Sequence, residues 1–427
     1  MSIAQKIFSS PVAAKAGVPQ GYPLKRYEVG EPPLVGSVEW SPGAWSDGLR
    51  ALLPSGTGET AGLVFDATGL DGPEDLRKLY DFFHPRLGGL APNAKLVVLG
   101  AAPEKLEGTA RIAARALEGF TRSLAKELRK GATCNLVYVD PAGGPGHAAS
   151  TLAFLLSPRS AFVDGQVFRV GTADAPTWEA QRPLDGRLAV VTGAARGIGA
   201  IIADVLARDG ADVICVDVPS ASESLTETAN RVKGTALPLD VTAADAASRL
   251  AEHARARYGR TLDVVVHNAG ITRDRLLFNM EPGQWDAVLA VNLGAPVRIT
   301  QELLESGELA AGASIIGVSS MAGISGNRGQ TNYATTKAGI IGLVDALHGP
   351  LAEHGSTINA VAPGFIETAM TAVMPLGPRE IGRRINSLQQ GGKPVDVAET
   401  VAYFAAAASR AVSGNVVRVC GQNMMGA

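Results

Sequence analysis

The sequence predicts an α/β protein built from two doubly wound parallel-sheet domains, and three observations support this fold class. The chain of 427 residues is too long for one ordinary core and suits two or three domains. Apolar residues make up 46% and aromatic residues only 5%, with 50 glycines, a composition that lets helices pack closely on sheets. Short apolar runs alternate with amphipathic helical patterns, which is the order of a parallel sheet covered by helices on both faces.

Residues 1–175 are predicted to form the first domain, which is Rossmann-like but degenerate, and flavodoxin-like in appearance. The pattern predicts strands at 34–38, 62–66, 96–99, 136–139 and 166–170, and helices at 71–87, 109–130 and 150–156. The segment 55–60 superficially resembles the phosphate loop of flavodoxins. Such a loop follows a strand and opens a helix, whereas this segment precedes a strand-like run, so we interpret it as a surface turn that binds no flavin.

The second domain is predicted over residues 184–427. It follows residues 171–183, which contain two prolines and no periodicity and therefore indicate a linker. Helical patterns separate the predicted strands, which lie at 188–193, 213–218, 236–241, 264–268, 314–319, 357–361 and 416–419. This domain is Rossmann-like and is the one expected to bind cofactor.

An internal repeat relates the two domains. Gly119, in a helical pattern of the first domain, matches Gly342, which lies 223 residues later, whereas 151–154 and 165–170 match segments 249 residues later. The first copy therefore lacks about 26 residues, and it also lacks a usable glycine loop. We interpret the first domain as a degenerate copy without cofactor or chemistry.

A glycine-rich turn at the start of the second domain indicates a nucleotide site. An apolar, β-branched run ends in Gly193, and Gly197 and Gly199 follow before a helical pattern begins. Glycines permit a tight turn and close approach of the backbone, and the N–H groups at a helix start attract phosphate. The order strand, glycine turn, helix favours cofactor binding over an ordinary strand-to-helix turn.

The clearest chemical pattern joins Ser320, Tyr333 and Lys337. Tyr333 and Lys337 are four residues apart in a helical pattern, so they share a face. A phenol ionises near pH ~10, and a nearby ammonium lowers that pKa toward the range useful for proton transfer. Ser320 follows a predicted strand at the ligand-binding edge of the sheet, where its hydroxyl can hold a carbonyl. A Tyr–Lys pair alone is more often a solvated helix face, but the glycine loop and the serine favour catalysis.

The second domain resembles the short-chain dehydrogenase/reductase family. The shared motifs are Thr192-Gly193-x-x-x-Gly197-Ile198-Gly199, Asn268-Ala269-Gly270, and Tyr333-x-x-x-Lys337 with Ser320 thirteen residues upstream. The segments 268–274, 326–333 and 361–368 are similar to 3-oxoacyl-acyl carrier protein reductases. The additional first domain is similar to that of their two-lobed, high-molecular-weight subgroup.

The resemblance implies a role for each matched residue. Tyr333 would protonate the carbonyl oxygen, Lys337 would lower the tyrosine pKa and bind the nicotinamide ribose, and Ser320 would orient the carbonyl. Asn292 would hold a water of the proton relay, and the segment 367–392 would be a mobile substrate flap. The implied cofactor-binding residues are Gly193, Arg196, Gly197, Ile198, Gly199, Asp217, Asp240, Val241, Asn268, Ala269, Gly270, Tyr333, Lys337, Gly364, Ile366 and Thr368. Asp240 and Val241 would flank the adenine, and no metal site is expected.

Two residues give opposite indications about the dinucleotide. Asp217 ends the second strand of the domain, where a carboxylate hydrogen-bonds the ribose 2′-hydroxyl of NAD and repels the 2′-phosphate of NADP. Arg196, in the glycine loop, would attract that phosphate. We weigh the carboxylate more heavily and expect NADH rather than NADPH.

Charge and composition limit the partners and the compartment. The net charge is −2 and no basic run is present, so we expect no nucleic-acid partner. The apolar runs are too short for membrane insertion. Three scattered cysteines and the lack of an apolar signal core at 1–10 indicate the cytoplasm.

The resemblance leaves several functions open. It implies an acyl carrier protein or CoA thioester as substrate and, since single-lobed relatives are commonly tetramers, a homodimer. An acetoacetyl-CoA reductase or 3-hydroxyacyl-CoA dehydrogenase would use the same chemistry on another carrier. A non-catalytic assembly scaffold is the alternative of another class, and the intact Asn292, Ser320, Tyr333 and Lys337 argue against it.

His267 replaces the asparagine that is usual in the family at this position. We expect it to supply a strand-end hydrogen bond rather than act as a base or metal ligand.

Overall fold

Two parallel sheets form the core of the computed structural model, which describes residues 18–32, 34, 36–53 and 56–423. The first sheet has the strand order β1-β2-β3-β4-β5, and the second has the order β12-β11-β10-β9-β6-β7-β8. The strands of the first sheet are Ser37–Trp40 (β1), Thr60–Ala67 (β2), Lys95–Ala101 (β3), Thr133–Val139 (β4) and Val167–Val170 (β5). Those of the second are Leu188–Thr192 (β6), Asp212–Asp217 (β7), Thr235–Pro238 (β8), Leu262–His267 (β9), Leu309–Val318 (β10), Thr357–Pro363 (β11) and Val416–Val419 (β12). The predicted α/β class with two parallel sheets is confirmed.

Helices cover both faces of each sheet. In the N-terminal lobe, the part of the chain built on the first sheet, they are Ala44–Leu52 (α1), Arg77–Phe83 (α2), Gly108–Glu127 (α3) and Pro145–Leu155 (α4). The C-terminal lobe, built on the second sheet, contains Gly197–Arg208 (α5), Ser222–Arg231 (α6), Ala246–Tyr258 (α7), Pro282–Leu289 (α8), Ala295–Glu305 (α9), Met321–Ser325 (α10), Thr331–Glu353 (α11), Ala369–Ala372 (α12), Leu376–Arg384 (α13) and Pro394–Ala405 (α14). Along β2, Leu63 and Phe65 pack beneath α2 and α3, whereas Val64 belongs to the core shared with α1, α4 and the other lobe, as the two-residue period of a strand requires.

The strand orders agree with the internal repeat seen in the sequence. β2 to β5 are consecutive neighbours, as β9 to β12 are, and β1 lies beside β2 as β6 lies beside β9. Among the described residues, β7 and β8 have no counterpart in the first sheet. Helices α12 and α13 occupy the stretch between β11 and α14 that the first copy lacks.

The two lobes contact each other through equivalent elements. The Asn415 side chain accepts a hydrogen bond from the Arg169 backbone N–H at 2.7 Å, and the Gln166 side chain accepts one from the Arg418 backbone N–H at 3.1 Å. Gln166 and Asn415 occupy equivalent positions of the repeat, and so do Arg169 and Arg418. The contact is therefore reciprocal, as at a twofold interface between two copies.

Aromatic packing and buried charge complete this contact. The rings of Phe154 and Tyr403 stack with centroids 4.5 Å apart, and the Tyr403 hydroxyl lies 2.7 Å from that of Thr151. Arg159 forms an ion pair with Glu399 at 2.8 Å. These groups are buried or nearly so, and the lobes thus share one continuous hydrophobic core.

Some predicted bounds were wrong, for local reasons. β8 ends at Pro238 rather than at 241, because Asp240 Oδ1 accepts the Thr242 N–H at 2.9 Å and begins a turn. Helix α4 begins at Pro145 instead of 150, since proline is favourable in the first helical turn. Helix α1 was missed, and the helix predicted at 71–87 is a 3₁₀ turn followed by α2.

Two predictions fall partly outside the described residues. Val35, within the predicted strand 34–38, and Ser55, at the start of the predicted turn 55–60, are not described, whereas 56–59 have no regular structure before β2.

None of the helices in the described ranges has the length and apolar character needed to cross a bilayer.

Candidate active site

The glycine loop after β6 opens the candidate site at the carboxyl edge of the second sheet. Gly193 and Gly197 have φ of 69° and 62°, a region that favours glycine. A Cβ on Gly199 would lie 2.1 Å from the Gly193 carbonyl oxygen, so no larger residue fits there. Helix α5 begins at Gly197, and its N-cap residue Arg196 makes no side-chain cap. Ile198 follows in the first turn, whose N–H groups are therefore placed to bind an anion.

The segment Asn268-Ala269-Gly270 holds this loop in place. Asn268 Nδ2 donates to the Thr192 carbonyl at 2.9 Å and the Gly193 carbonyl at 3.2 Å. The Thr192 hydroxyl accepts the backbone N–H groups of Asn268 and Ala269, both at 3.0 Å. Thr192 lies inside the glycine motif, but the sequence analysis assigned it no role of its own.

The residues expected to bind the adenosine half of the cofactor lie along the same edge. The Asp217 carboxylate accepts the N–H of Ala195 at 3.0 Å and that of Val218 at 2.8 Å, and it is therefore fixed beside the glycine loop. Asp240 is exposed, and Val241 is buried. An uncapped helix start for phosphate and a fixed carboxylate for a ribose hydroxyl are a donor and acceptor set that fits a nicotinamide dinucleotide.

The three predicted catalytic side chains come together beside β10. Ser320 accepts the Ala322 N–H at 3.1 Å, which caps α10, and its side chain hydrogen-bonds to the Tyr333 phenol. Tyr333 and Lys337 lie in the first two turns of α11, as their spacing predicts. Lys337 Nζ donates to the Val318 carbonyl at 2.7 Å and lies 5.5 Å from the centre of the Tyr333 ring.

Burial dominates the electrostatics of this group. It raises the pKa of Tyr333 above the usual 10; the hydrogen bond from Ser320 opposes that rise, and the Asp274 charge adds to it. Burial also lowers the pKa of Lys337 to about 8. The shift of the Tyr333 pKa is thus upward, opposite to the direction expected from the sequence, because burial outweighs the hydrogen bond.

Asn292 lies in a π-helical segment, Ala290–Gly294, between α8 and α9. Its Oδ1 accepts the Ile271 N–H at 2.8 Å, and its Nδ2 donates to the Ile271 carbonyl at 3.0 Å and to Thr336 at 3.3 Å. A Cβ on Gly270 would lie 3.4 Å from Asn292 Oδ1 and 3.5 Å from Lys337 Nζ. The Asn292 side chain therefore links the turn at Gly270 to α11. Short π-helical segments within helices, like the one that carries Asn292, are frequent at functional sites.

The predicted flap, 367–392, is separated from the end of β11 by three residues. A Cβ on Gly364 would lie 2.6 Å from the Cys420 side chain, Ile366 is buried, and Thr368 caps α12. The Glu367 N–H donates to the Gly392 carbonyl at 2.8 Å. This bond joins the two ends of the predicted flap, so the segment 367–392 forms a closed loop beside the site.

His267 lies at the end of β9, as expected from the sequence. Its Nε2 lies 2.8 Å from the Thr300 hydroxyl, and burial lowers the pKa of the imidazole to about 4. The expected strand-end hydrogen bond is therefore present, and the ring is neutral at pH 7. Within the described part of the chain, no group of three or more His, Cys, Asp or Glu side chains could hold a metal ion.

The chain belongs to the short-chain dehydrogenase family. The model of the family described as short chain dehydrogenase matches residues 187–376, and full-length relatives match at more than 30% identity. The protein is therefore an oxidoreductase that uses a nicotinamide cofactor.

Individual relatives indicate the branch of the family. The chain is 41% identical to the 3-oxoacyl-[acyl-carrier-protein] reductase FabG of Thermotoga maritima, over 56% of this chain and 98% of the relative. It is 40% identical to the (3R)-3-hydroxyacyl-CoA dehydrogenase of Mus musculus, over 56% and 97% respectively. The angucycline C-6 ketoreductase LanV with bound NADP is a structural relative, with a TM-score of 0.52, 27% identity, and coverage of 56% of this chain and 96% of that one.

Proposed function

We propose that the protein reduces 3-oxoacyl thioesters to 3-hydroxyacyl thioesters in fatty acid metabolism, with NADH as the preferred cofactor. The observation that carries this proposal is the convergence of Ser320, Tyr333 and Lys337 beside an uncapped helix start at the carboxyl edge of the second sheet. The names of the relatives, a 3-oxoacyl-acyl carrier protein reductase and a 3-hydroxyacyl-CoA dehydrogenase, support the substrate class.

The reaction requires a proton at the carbonyl oxygen while the bound nicotinamide supplies a hydride to the carbonyl carbon. Tyr333 donates that proton, because its raised pKa keeps the phenol protonated at neutral pH. Ser320 acts on the phenol and lowers its pKa, so a carbonyl oxygen that reaches both hydroxyls would accept from both. Lys337, cationic below pH about 8, favours the phenolate that remains.

We place Asn292 and Lys337 on the path that returns a proton to Tyr333 after the reaction. The Asn292 side chain is engaged with Ile271 and Thr336, which fixes the Gly270 turn close to Lys337 Nζ. We propose that the relay water of the family binds at this junction. Gly364, Ile366 and Thr368 then form the wall of the nicotinamide pocket, and the segment 367–392 closes over the acyl chain.

A comparison of two substrates tests whether the acyl group is carried by CoA or by acyl carrier protein. Turnover of acetoacetyl-CoA and of acetoacetyl-acyl carrier protein is compared with NADH as reductant. A preference for the protein-bound thioester supports the reductase assignment, and a preference for CoA supports the 3-hydroxyacyl-CoA dehydrogenase or acetoacetyl-CoA reductase alternative. A Tyr333→Phe variant with unchanged turnover would overturn both assignments and support a scaffold.

Asp217 carries the proposed preference for NADH. Its carboxylate is fixed beside the glycine loop, where we expect a 2′-phosphate to approach, and the exposed Arg196 is the one opposing charge in the loop. We expect kcat/KM to be higher with NADH than with NADPH, and Asp217→Ser to reduce that ratio. A wild-type ratio that favours NADPH would refute this assignment.

The N-terminal lobe, residues 1–175, is proposed to be non-catalytic, with residues 184–427 forming the catalytic domain. Asp66 Oδ2 accepts the N–H groups of Trp45 and Ser46 at 2.9 and 3.0 Å, so a carboxylate of the lobe itself occupies the start of α1. The equivalent start of α5 is the one proposed to hold the cofactor phosphates. Calorimetry on the full chain should therefore find one NADH per chain, and two would contradict the proposal.

A homodimer is proposed, formed through α11. Ala338, Gly342 and Ala346 are exposed and four residues apart, so they allow a second helix to approach closely. The repeat position equivalent to Ala338 is Arg115, an exposed arginine on α3, which disfavours the same contact in the N-terminal lobe. Light scattering should give the mass of two chains, and Gly342→Arg should give one; a wild-type monomer at micromolar concentration would refute the assembly.

A cytoplasmic location is proposed on the state of the thiols. Cys134, Cys215 and Cys420 are buried and unpaired, as expected in a reducing compartment.

A further inference from the structure

A cavity of about 640 Å³ lies between the lobes, away from the proposed active site. Asp140 and Gly171, which follow β4 and β5, line one side of it, and Gly312 and Ser356, near the amino ends of β10 and β11, line the other. The proposed active site lies at the carboxyl ends of the second sheet, so the cavity is separate from it. Its volume is typical of a small-molecule site.

Arg410 is the unusual residue of this cavity. Its Nε is buried without a hydrogen-bond partner, and no carboxylate in the described ranges pairs with its guanidinium. The guanidinium packs against Gly312, where a Cβ would be 2.2 Å from Nη2. A partly buried cation without an acceptor is costly, which indicates that an external anion completes the site.

A second guanidinium increases the positive charge at this point. Arg187 is buried, and it donates through Nη2 to the carbonyls of Asp263 and Gly312 at 2.7 and 3.1 Å. Burial lowers the pKa of Arg187, and the nearby charge of Arg410 lowers it further, although Asp263 opposes both. Arg187 and Arg410 therefore repel each other, and an anion bound at Arg410 would reduce that repulsion.

Two imidazoles line the cavity beside serine hydroxyls. His348 Nδ1 lies 3.0 Å from the Ser413 hydroxyl, and His354 Nδ1 lies 2.9 Å from the Ser356 hydroxyl. Ser413 also accepts the Ile358 N–H at 3.2 Å, so its own hydrogen is available to His348 Nδ1. In that arrangement the neutral ring carries its proton on Nε2, which is then a donor.

The acids of the cavity wall are mostly engaged. Glu104 pairs with Arg169 at 3.3 Å, and Asp140 pairs with Lys105 at 3.2 Å. Asp174, exposed on the linker, is the remaining acid of the wall. It competes with an incoming anion, and its removal should strengthen binding.

We propose that this cavity binds a phosphate group, with Arg410, His348 and His354 as its donors. The group is either inorganic phosphate or the phosphoryl end of a small metabolite, and both present the same oxygens to a guanidinium. Because both lobes line the cavity, the bound anion would stabilise the contact between them.

Calorimetry with inorganic phosphate and with ribose 5-phosphate tests the proposal. The full chain is saturated with NADH, and chloride keeps the ionic strength constant. We expect a Kd on the order of 1 mM for phosphate, at least about tenfold weaker binding in Arg410→Gln, and tighter binding in Asp174→Asn. Arg111→Gln, a change of an exposed arginine on α3, serves as the control and should bind as the wild type does. Tighter binding of ribose 5-phosphate than of phosphate identifies a metabolite as the ligand, and equal binding identifies the free ion.

The stability of the variants separates a binding role from a structural one. Without phosphate, Arg410→Gln should unfold at the same temperature as the wild type or higher, since it removes the repulsion with Arg187. Should Arg410→Gln not fold, His348→Ala provides the same comparison of affinities. The proposal is overturned if no saturable heat is observed, or if the variant and the wild type bind phosphate equally.

Discussion

Replacing Lys337 with methionine should abolish catalysis and make the folding free energy less dependent on pH. Burial lowers the pKa of Lys337 from 10.5 to about 8. Below pH 8 both the folded and the unfolded chain hold this proton, and the fold bears the cost of a buried charge. At about 1.4 kcal/mol per pKa unit, that cost is about 3 kcal/mol.

The sign of the pH dependence follows from proton binding. Between pH 8 and 10.5 the unfolded chain binds the proton and the folded chain has released it, so the contribution of Lys337 to stability rises with pH. By pH ~9.5 about 2 kcal/mol of the cost at pH 7 should be recovered. Lys337→Met also removes the donor to the Val318 carbonyl, but that loss is the same at both pH values and cancels in the comparison.

Urea unfolding of wild type and Lys337→Met at pH 7 and 9.5, with NADH-linked turnover at pH 7, measures both effects. Lys95 gives a matched control in the other lobe, because burial also lowers its pKa to about 8 and it lies far from the proposed chemistry. Lys95→Met should show a pH effect of the same sign and retain full turnover. If the stability difference between wild type and Lys337→Met is the same at the two pH values, the ammonium is not buried as the structure has it, and the reasoning fails.

Three further predictions concern catalysis, the lobe contact and the flap. Tyr333→Phe should reduce kcat by about 10²–10⁴-fold; since Tyr333 is also an expected cofactor-binding residue, NADH binding should weaken, but far less than turnover slows, as measured by fluorescence titration. Tyr403→Phe and Thr151→Val should each destabilise the protein by about 1–3 kcal/mol by leaving a buried hydroxyl unpaired, and the double variant by less than their sum in urea unfolding; strict additivity would rule out the bond. A Cβ on Gly21 would lie 2.9 Å from the Gln390 side chain, so Gly21→Val should displace the flap base and raise the KM for the acyl thioester with kcat nearly unchanged; an unchanged KM would argue against that coupling.

The sequence predicted those parts of the site that depend on local spacing. The glycine turn and the Tyr333–Lys337 pair are each fixed by a few consecutive residues, and both lie where the pattern placed them. The direction of the Tyr333 pKa was wrong, because burial depends on everything packed around the phenol. The contact of Asp66 with the start of α1 was not foreseeable either, since it joins positions about 20 residues apart only after β2 has paired beside β1.

The segments in which the two lobes agree most closely in sequence are those through which they touch. The match at a spacing of 249 residues covers α4 with α14 and β5 with β12, and these elements form the reciprocal contact of Gln166 and Asn415. The lobes differ instead at the carboxyl edge, where Asp66 fills one helix start and the other, at Gly197, is uncapped. If the N-terminal lobe keeps its interface but binds no cofactor, as proposed above, it acts as a built-in partner subunit. Substitutions in α4 should therefore act on the C-terminal lobe through α14, and we expect them to change turnover by weakening the support that the N-terminal lobe gives to its neighbour.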